Sequence, residues 1–401
     1  MSDPSPLDRN DIEPVLLLGP GPASVSDRVL RAMARPLLGY MDRDFHTILE
    51  EECRGLRACF ATANRVTFPL SGTGMSGMEC LLANLLEPGD RLLVCVNGFF
   101  GERLCEVAAR HGAEIHRLEA EWGSPIDPAA LEREARRVAP AVVAVVHAET
   151  STGCLQPLAP LVRAGKVGNA LVIADCVTSI GGTAIDADAA GLDAAYAGSQ
   201  KCLGAPPGLA PVTFGERAMS KIRARKTPVQ SWYHDVTILE RYYPFDPGSA
   251  PSAYHHTPST SLHYALAEAL RCLLETEGLT AAFARHQRNH RALVAGVEAL
   301  GLRMLVKEGF RTPMLNAIHV PDGVDEAKIR ARLRETHRIE IGAGLGKLRG
   351  KIIRIGLMGH SSRAGNVVRA LAALADALQS QGYRCSPGAA VDAAGAELTR
   401  P

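Results

Sequence analysis

Leu171-Val172-Ile173-Ala174-Asp175-Cys176-Val177 says most about how this chain folds. Its four leading residues are apolar and a carboxylate closes them, with no polar alternation. A short unbroken apolar run fits a strand covered on both faces. On either side of it, residues 91–96 make a similar run ended by Asn97-Gly98, residues 141–147 are rich in valine, and residues 194–197 are a further short run. Residues 101–111 between two of these have helical spacing. Strands separated by helices predict β-α-β units and a mostly parallel central sheet sandwiched by helices, an α/β fold. Ligands of such sheets gather at the carboxyl ends of the strands, so the residues that follow each run are the candidates for chemistry.

The 401 residues are too many for one small core and predict two domains. Residues 261–278 read as a long helix ended by glycine, and the boundary is placed there. The division expected is an N-terminal arm over residues 1–24, a large α/β domain over 25–278, a smaller C-terminal α+β domain over 279–385 with strands near 316–320 and 351–356, and a flexible tail over 386–401, rich in Ala, Gly and Pro. Apolar residues make up 46% and charged residues 22%, with a net charge of +1. That balance carries no basic stripe for nucleic acid and no charged interaction tail. The first residues lack a cationic start and an apolar run, no stretch approaches the roughly 20 apolar residues of a spanning helix, and the last three residues are not a peroxisomal address. A cytoplasmic protein is the expectation. None of the ten cysteines falls in a C-x-x-C pair, and several sit in apolar runs, which predicts buried thiols rather than disulfides or metal ligands.

Four segments after strand-like runs carry suitable chemistry. Ser71-Gly72-Thr73-Gly74-Met75 leads into an apolar helix; its glycines let backbone approach a ligand, and the first N–H groups of a helix attract an anion. Alone, it reads equally as a helix cap. Asp175 at a buried strand end costs several kcal/mol unless paired, about the size seen for unpaired buried charges; a capping role is the plain alternative. Lys201 ends Gly198-Ser199-Gln200-Lys201 and is followed by glycine- and proline-rich, uncharged sequence, unlike a solvated face. A free lysine has a pKa of about 10.4, so roughly one in a thousand or fewer is neutral at pH 7. It is a poor simple base, but an amine that forms a Schiff base with a carbonyl cofactor has a defined task. The fourth segment is His147-Ala148-Glu149-Thr150-Ser151-Thr152-Gly153. The order phosphate loop, aspartate, lysine, with Lys201 26 positions after Asp175, is stronger than any member and points to pyridoxal 5'-phosphate, whose ring nitrogen an aspartate keeps protonated.

With these residues in place the chain resembles the class V, fold type I, pyridoxal-phosphate aminotransferases, specifically the alanine–glyoxylate and serine–glyoxylate group. The matching pieces are Leu16-Leu17-Leu18-Gly19-Pro20-Gly21-Pro22, Leu86-Glu87-Pro88-Gly89-Asp90, Glu149-Thr150-Ser151-Thr152-Gly153, Gly198-Ser199-Gln200-Lys201, Tyr254-His255-His256-Thr257 and Arg354-Ile355-Gly356. The resemblance implies that Lys201 carries the cofactor and that Asp175 pairs with its ring nitrogen, with Val177 packed on the ring. It implies that Thr73, Gly74, Met75 and Gln200 hold the phosphate side and Thr150 the ring hydroxyl region. It also implies that Arg354 clamps the substrate carboxylate, with Gly21 at the substrate. Tyr254 and Thr257 would reach the phosphate of a neighbouring subunit's cofactor, and Tyr40 the partner's pocket. That implies a homodimer with shared sites, a tetramer also being open. The ring stacked on the cofactor, often Trp in this group, is Phe100 here.

The activity this implies is ping-pong transfer of an amino group from alanine or serine to glyoxylate or a related 2-oxo acid, with (S)-ureidoglycine as the alternative donor. A cysteine desulfurase of the same fold needs a loop cysteine late in the chain, and none lies between Cys272 and Cys385. A dinucleotide-binding reading fails because Gly19-Pro20-Gly21-Pro22 has Ser24 where the third glycine of G-x-G-x-x-G belongs. The segment 342–347 fails as a nucleotide loop because Ile341 stands at the first glycine and Leu348 at the Ser/Thr. Adjacent His255 and His256, without further Cys/His spacing, do not suggest a metal.

Overall fold

The computed structural model describes residues 13–246, 248–249 and 253–400; the first twelve residues of the expected arm lie outside it. Its centre is a seven-stranded sheet. In spatial order the strands are Val66–Ser71, Leu209–Phe214, Ala194–Tyr196, Leu171–Asp175, Val142–Val146, Arg91–Val96 and Glu114–Glu119. The last five pair in parallel, whereas Leu209–Phe214 runs antiparallel to both of its neighbours. All four strands expected from apolar runs are present within a residue or two. Leu171–Asp175 and Val142–Val146 are buried throughout. Their side chains divide between two cores. Val142, Ala144, Leu171 and Ile173 face one helical layer, and Val143, Val145, Val172 and Ala174 face the other. That two-sided covering is why the runs lack alternation.

The helix expected over 261–278 is Thr260–Arg271 continued by a wider turn over Cys272–Glu277, and Gly278 ends it with φ of +85°. A third apolar core follows. It joins the helices Leu279–Ala299 and Ala364–Gln379 to a three-stranded sheet, Leu315–His319, Ile352–Gly356 and Gly342–Ala343, all antiparallel. The strand Leu16–Leu17 pairs in parallel with Ile339–Glu340, and Leu18 is buried in this core. The described part of the expected arm is thus stitched into the C-terminal unit.

The expected flexible tail is a correction. Residues Pro387–Thr399 form a helix with Ser386 as its cap, accepting from the Ala389 N–H, and proline in its first turn. Ala390 and Ala394 are fully buried in the C-terminal core. The alanines that read as low-complexity filler allow close approach to the helix Leu279–Ala299. A Cβ built on Gly296 would stand 3.0 Å from the Ala390 carbonyl oxygen.

All ten cysteines are free, eight of them buried, as the sequence predicts.

Candidate active site

The carboxyl ends of the parallel strands deliver the candidate groups to one place. Leu171–Asp175 ends at Asp175, Val142–Val146 leads to Glu149 and Thr150, and Arg91–Val96 leads into the helix Phe99–Arg110 that carries Phe100. The turn after Ala194–Tyr196 carries Gln200 and Lys201. Asp175, Thr150, Phe100, Gln200 and Lys201, together with Thr73, Gly74, Met75 and Val177, line a cavity of about 100 Å³, completed by Met78 and Tyr196. Nine residues proposed from sequence for the cofactor therefore meet.

Asp175 is buried and bonded on both oxygens. Oδ1 accepts from the Val177 N–H at 2.9 Å and Oδ2 from the Tyr196 hydroxyl at 2.7 Å. Burial pushes its carboxyl up to about 6, against the lowering effect of the Tyr196 hydroxyl, the Val177 N–H and the charge of Lys201. Lys201 is 8% exposed. Burial and, after it, the charge of Arg354 lower its amine to about 8. Its Nζ donates to the Pro20 carbonyl. Gly21, with φ of +113°, packs directly against that amine, so a side chain there would strike it.

The helix Gly74–Leu85 starts at Thr73 without a side-chain cap, and Thr73, Gly74 and Met75 at that start line the cavity. The Gln200 Oε1 is buried with no hydrogen-bond partner among the described residues. Arg354 comes from the C-terminal unit and is 4% exposed. Its Nε donates to Ala343 O at 2.7 Å and its Nη1 to Thr150 O at 2.9 Å, which ties the arginine to the cavity wall.

Tyr40, Tyr254 and Thr257 do not line this cavity. Tyr254 is 57% exposed, and its ring lies 5.2 Å from that of Tyr40. Its hydroxyl is 3.4 Å from the Thr257 hydroxyl. The neighbouring His256 bonds Ser71, two residues before the helix start at Thr73, at 2.6 Å and the His255 ring at 2.8 Å. These surface residues are thus linked to the loop from behind.

Sequence reasoning gave no role to Tyr196 or Glu149. Tyr196 stands opposite Asp175 in the strand register, but an apolar run does not reveal which face its hydroxyl takes. A cavity of about 820 Å³ opens at the other end of the sheet. Arg217 pairs there with Asp193 and Lys221 with Asp90, and it holds none of the candidate residues, so its size does not make it the chemical site.

A buried lysine and a buried aspartate at strand ends, beside an uncapped helix start, define an α/β enzyme built around a cofactor. The description "Aminotransferase class-V" matches residues 16–364, and the chain belongs to that family of pyridoxal-phosphate-dependent aminotransferases. The chain is 40% identical over 396 residues to the (S)-ureidoglycine–glyoxylate transaminase of Bacillus subtilis, covering 94% of each chain. It is 38% identical over 366 residues to an alanine–glyoxylate aminotransferase of Drosophila melanogaster, covering 91% of this chain and 92% of that one. The crystal structure of the Bacillus subtilis ureidoglycine–glyoxylate aminotransferase superposes with a TM-score of 0.93 over 98% of this chain and 100% of its own.

Proposed function

We propose that this chain transfers an amino group from a small amino acid, alanine or serine, to glyoxylate in two half-reactions that share one pocket. The observation that carries the reading is that Lys201 and Asp175 line one cavity with an uncapped helix start, while Arg354 is bonded to its wall at Thr150. Bound there, pyridoxal 5'-phosphate would supply an electron sink and a temporary carrier for the amino group. The donor set fits it. Thr73, Gly74, Met75 and Gln200 would take the phosphate, Asp175 the ring nitrogen, and Thr150 the ring hydroxyl, while Phe100 and Val177 would pack on the ring.

Lys201 would hold the aldehyde covalently and, once displaced, move a proton to and from the substrate α-carbon at its Nζ. An amine lowered to about 8 retains a neutral fraction near pH 7 that an ordinary lysine lacks. Arg354 would orient the substrate carboxylate with the N–H groups its two backbone bonds leave free, beside Gly21. Among the described residues Lys201 is the one cation lining the cavity and Arg354 the one bonded to its wall; with Lys201 taken up by the cofactor a single cation remains for a substrate carboxylate, which supports substrates with one carboxylate over dicarboxylic donors. Tyr254, Thr257 and Tyr40, outside their own cavity, would serve the site of a second copy in a homodimer. Buried free thiols suit a reducing compartment, the cytoplasm.

(S)-Ureidoglycine as the donor is the second reading, supported by the Bacillus subtilis relative in both sequence and structure. A half-reaction screen tests both. The yellow protein is mixed with single amino acids, and the change of cofactor absorbance is followed. Alanine or serine should react fastest and aspartate slowly, and glyoxylate should restore the starting spectrum. Ureidoglycine outrunning both would select the second reading, and fast reaction with aspartate would overturn the assignment.

A further inference from the structure

Glu149 is fully buried, yet it lines no part of the cavity and has no part in the roles above. Its Oε2 accepts from the Phe100 N–H at 3.1 Å and the Gly101 N–H at 3.4 Å. Its Oε1 accepts from the Ser151 N–H at 3.0 Å and the Ser151 hydroxyl at 2.6 Å. The Ser151 oxygen in turn accepts from the Phe99 N–H at 2.9 Å. One short loop thus holds the first three N–H groups of the helix Phe99–Arg110, whose own cap position, Gly98, has no side chain to offer. The fit is tight, since a Cβ on Gly98 would strike the Glu149 side chain and lie 2.6 Å from the Ser151 hydroxyl. Phe100, in the first turn of that helix, reaches the cavity.

We propose that Glu149 is a positioning residue, which fixes the Phe100 ring against the cofactor by holding the Phe100 and Gly101 amides. The inference rests on the reading that Phe100 packs on pyridoxal phosphate. All four groups bonded to Glu149 are donors, so only a carboxylate satisfies them together. Burying a carboxylate is costly, and here burial lifts the carboxyl to about 7, with the charge of Asp175 pushing the same way. A helix start held only for stability could use a neutral serine or asparagine from its own chain. Glu149 instead reaches across from the neighbouring strand, and the next residue, Thr150, is both in the cavity wall and bonded to Arg354. The ring and the arginine anchor are therefore set from one loop.

The test is a double-mutant cycle between Glu149→Gln and Phe100→Ala on the full chain, reading the dissociation constant for pyridoxal phosphate and the visible circular dichroism of the bound cofactor. Glutamine keeps the shape but points an amide N–H at a backbone N–H on one side. Phe100→Ala should weaken cofactor binding about tenfold, the scale of a lost aromatic contact. Glu149→Gln should weaken it about fivefold and reduce the dichroic signal in protein that still folds cooperatively, with the melting temperature of the cofactor-free protein lowered by about the few degrees that one unpaired buried N–H costs. In the Phe100→Ala background it should add less than twofold. Ser151→Ala, which removes one link of the network, should repeat the effect more weakly and covers the case in which Glu149→Gln fails to fold. Native affinity and dichroism in a folded Glu149→Gln, or losses that multiply in the double variant, would overturn the inference. Native affinity in Phe100→Ala would instead sink the reading on which it rests.

Discussion

Replacing Arg354 by lysine keeps the positive charge and removes the planar fork. In the folded chain the guanidinium gives Nε to Ala343 O and Nη1 to Thr150 O, at 2.7 and 2.9 Å. A guanidinium has five N–H donors, so three remain, enough for a two-pronged grip on a carboxylate. An ammonium has three donors on one atom and cannot reach both carbonyls and a substrate in that geometry. The loss to substrate is about one charge-assisted hydrogen bond, roughly 1.5–3 kcal/mol, or about 10–150-fold in kcat/KM. A carbonyl left without its donor costs the fold about 1–3 kcal/mol more. Both half-reactions use one clamp, so the loss should be similar for the amino donor and for glyoxylate. Rapid-mixing measurements of each half-reaction with the purified Arg354→Lys protein supply the comparison. Rates within twofold of native on both sides would refute the clamp. A loss confined to one side would show that the two carboxylates are held by different groups.

Three further outcomes follow from the geometry. Gly21→Ala should lose cofactor affinity at least tenfold while keeping its helical content by circular dichroism, since φ of +113° strains any side chain and its Cβ would strike the Lys201 amine; an alanine variant that binds normally would contradict the contact. Reconstitution of cofactor-free protein should quicken about tenfold per pH unit and level off near pH 8, because burial and Arg354 lower the Lys201 amine to about 8; a rise continuing to about pH 10, where a free amine titrates, would contradict that lowering. Ala390→Asp should lower the melting temperature by about 5 °C or more, an unpaired charge in the C-terminal core costing about 3 kcal/mol; an unchanged melting curve would mean that the helix Pro387–Thr399 is not docked.

How much of this was legible in the sequence depended on how local each signal was. The strands Arg91–Val96, Val142–Val146 and Leu171–Asp175 are buried on both faces, so their composition alone exposed them. Val66–Ser71 and Leu209–Phe214 carry Pro69 and Pro211, residues that argue against a strand. In the fold these prolines stand opposite each other at a position where the two strands do not bond: the Pro69 carbonyl accepts from the Tyr243 hydroxyl and the Pro211 carbonyl from the Ala197 N–H, so the pairing of the two strands loses no bond. Lys201, Asp175 and the loop after Ser71 were readable as strand-end chemistry. Arg354 was not, because it sits inside a buried strand of another unit and reaches the cavity only through Ala343 and Thr150. It came from the family resemblance. Glu149 stood within a matching motif, but its bonds run to amides some 50 positions away, and no spacing encodes them. The helix at the C-terminus was misread because an alanine-rich segment resembles a tail until its small faces are seen against Gly296.

Borohydride reduction of the yellow protein, which makes a lysine–aldehyde linkage permanent, followed by peptide mass spectrometry, tests the core of the account. The cofactor mass should appear on the peptide containing Lys201 and on no other, and a folded Lys201→Ala protein should be colourless and inactive. Label on a different lysine, or a Lys201→Ala protein that still moves amino groups at the native rate, would contradict it.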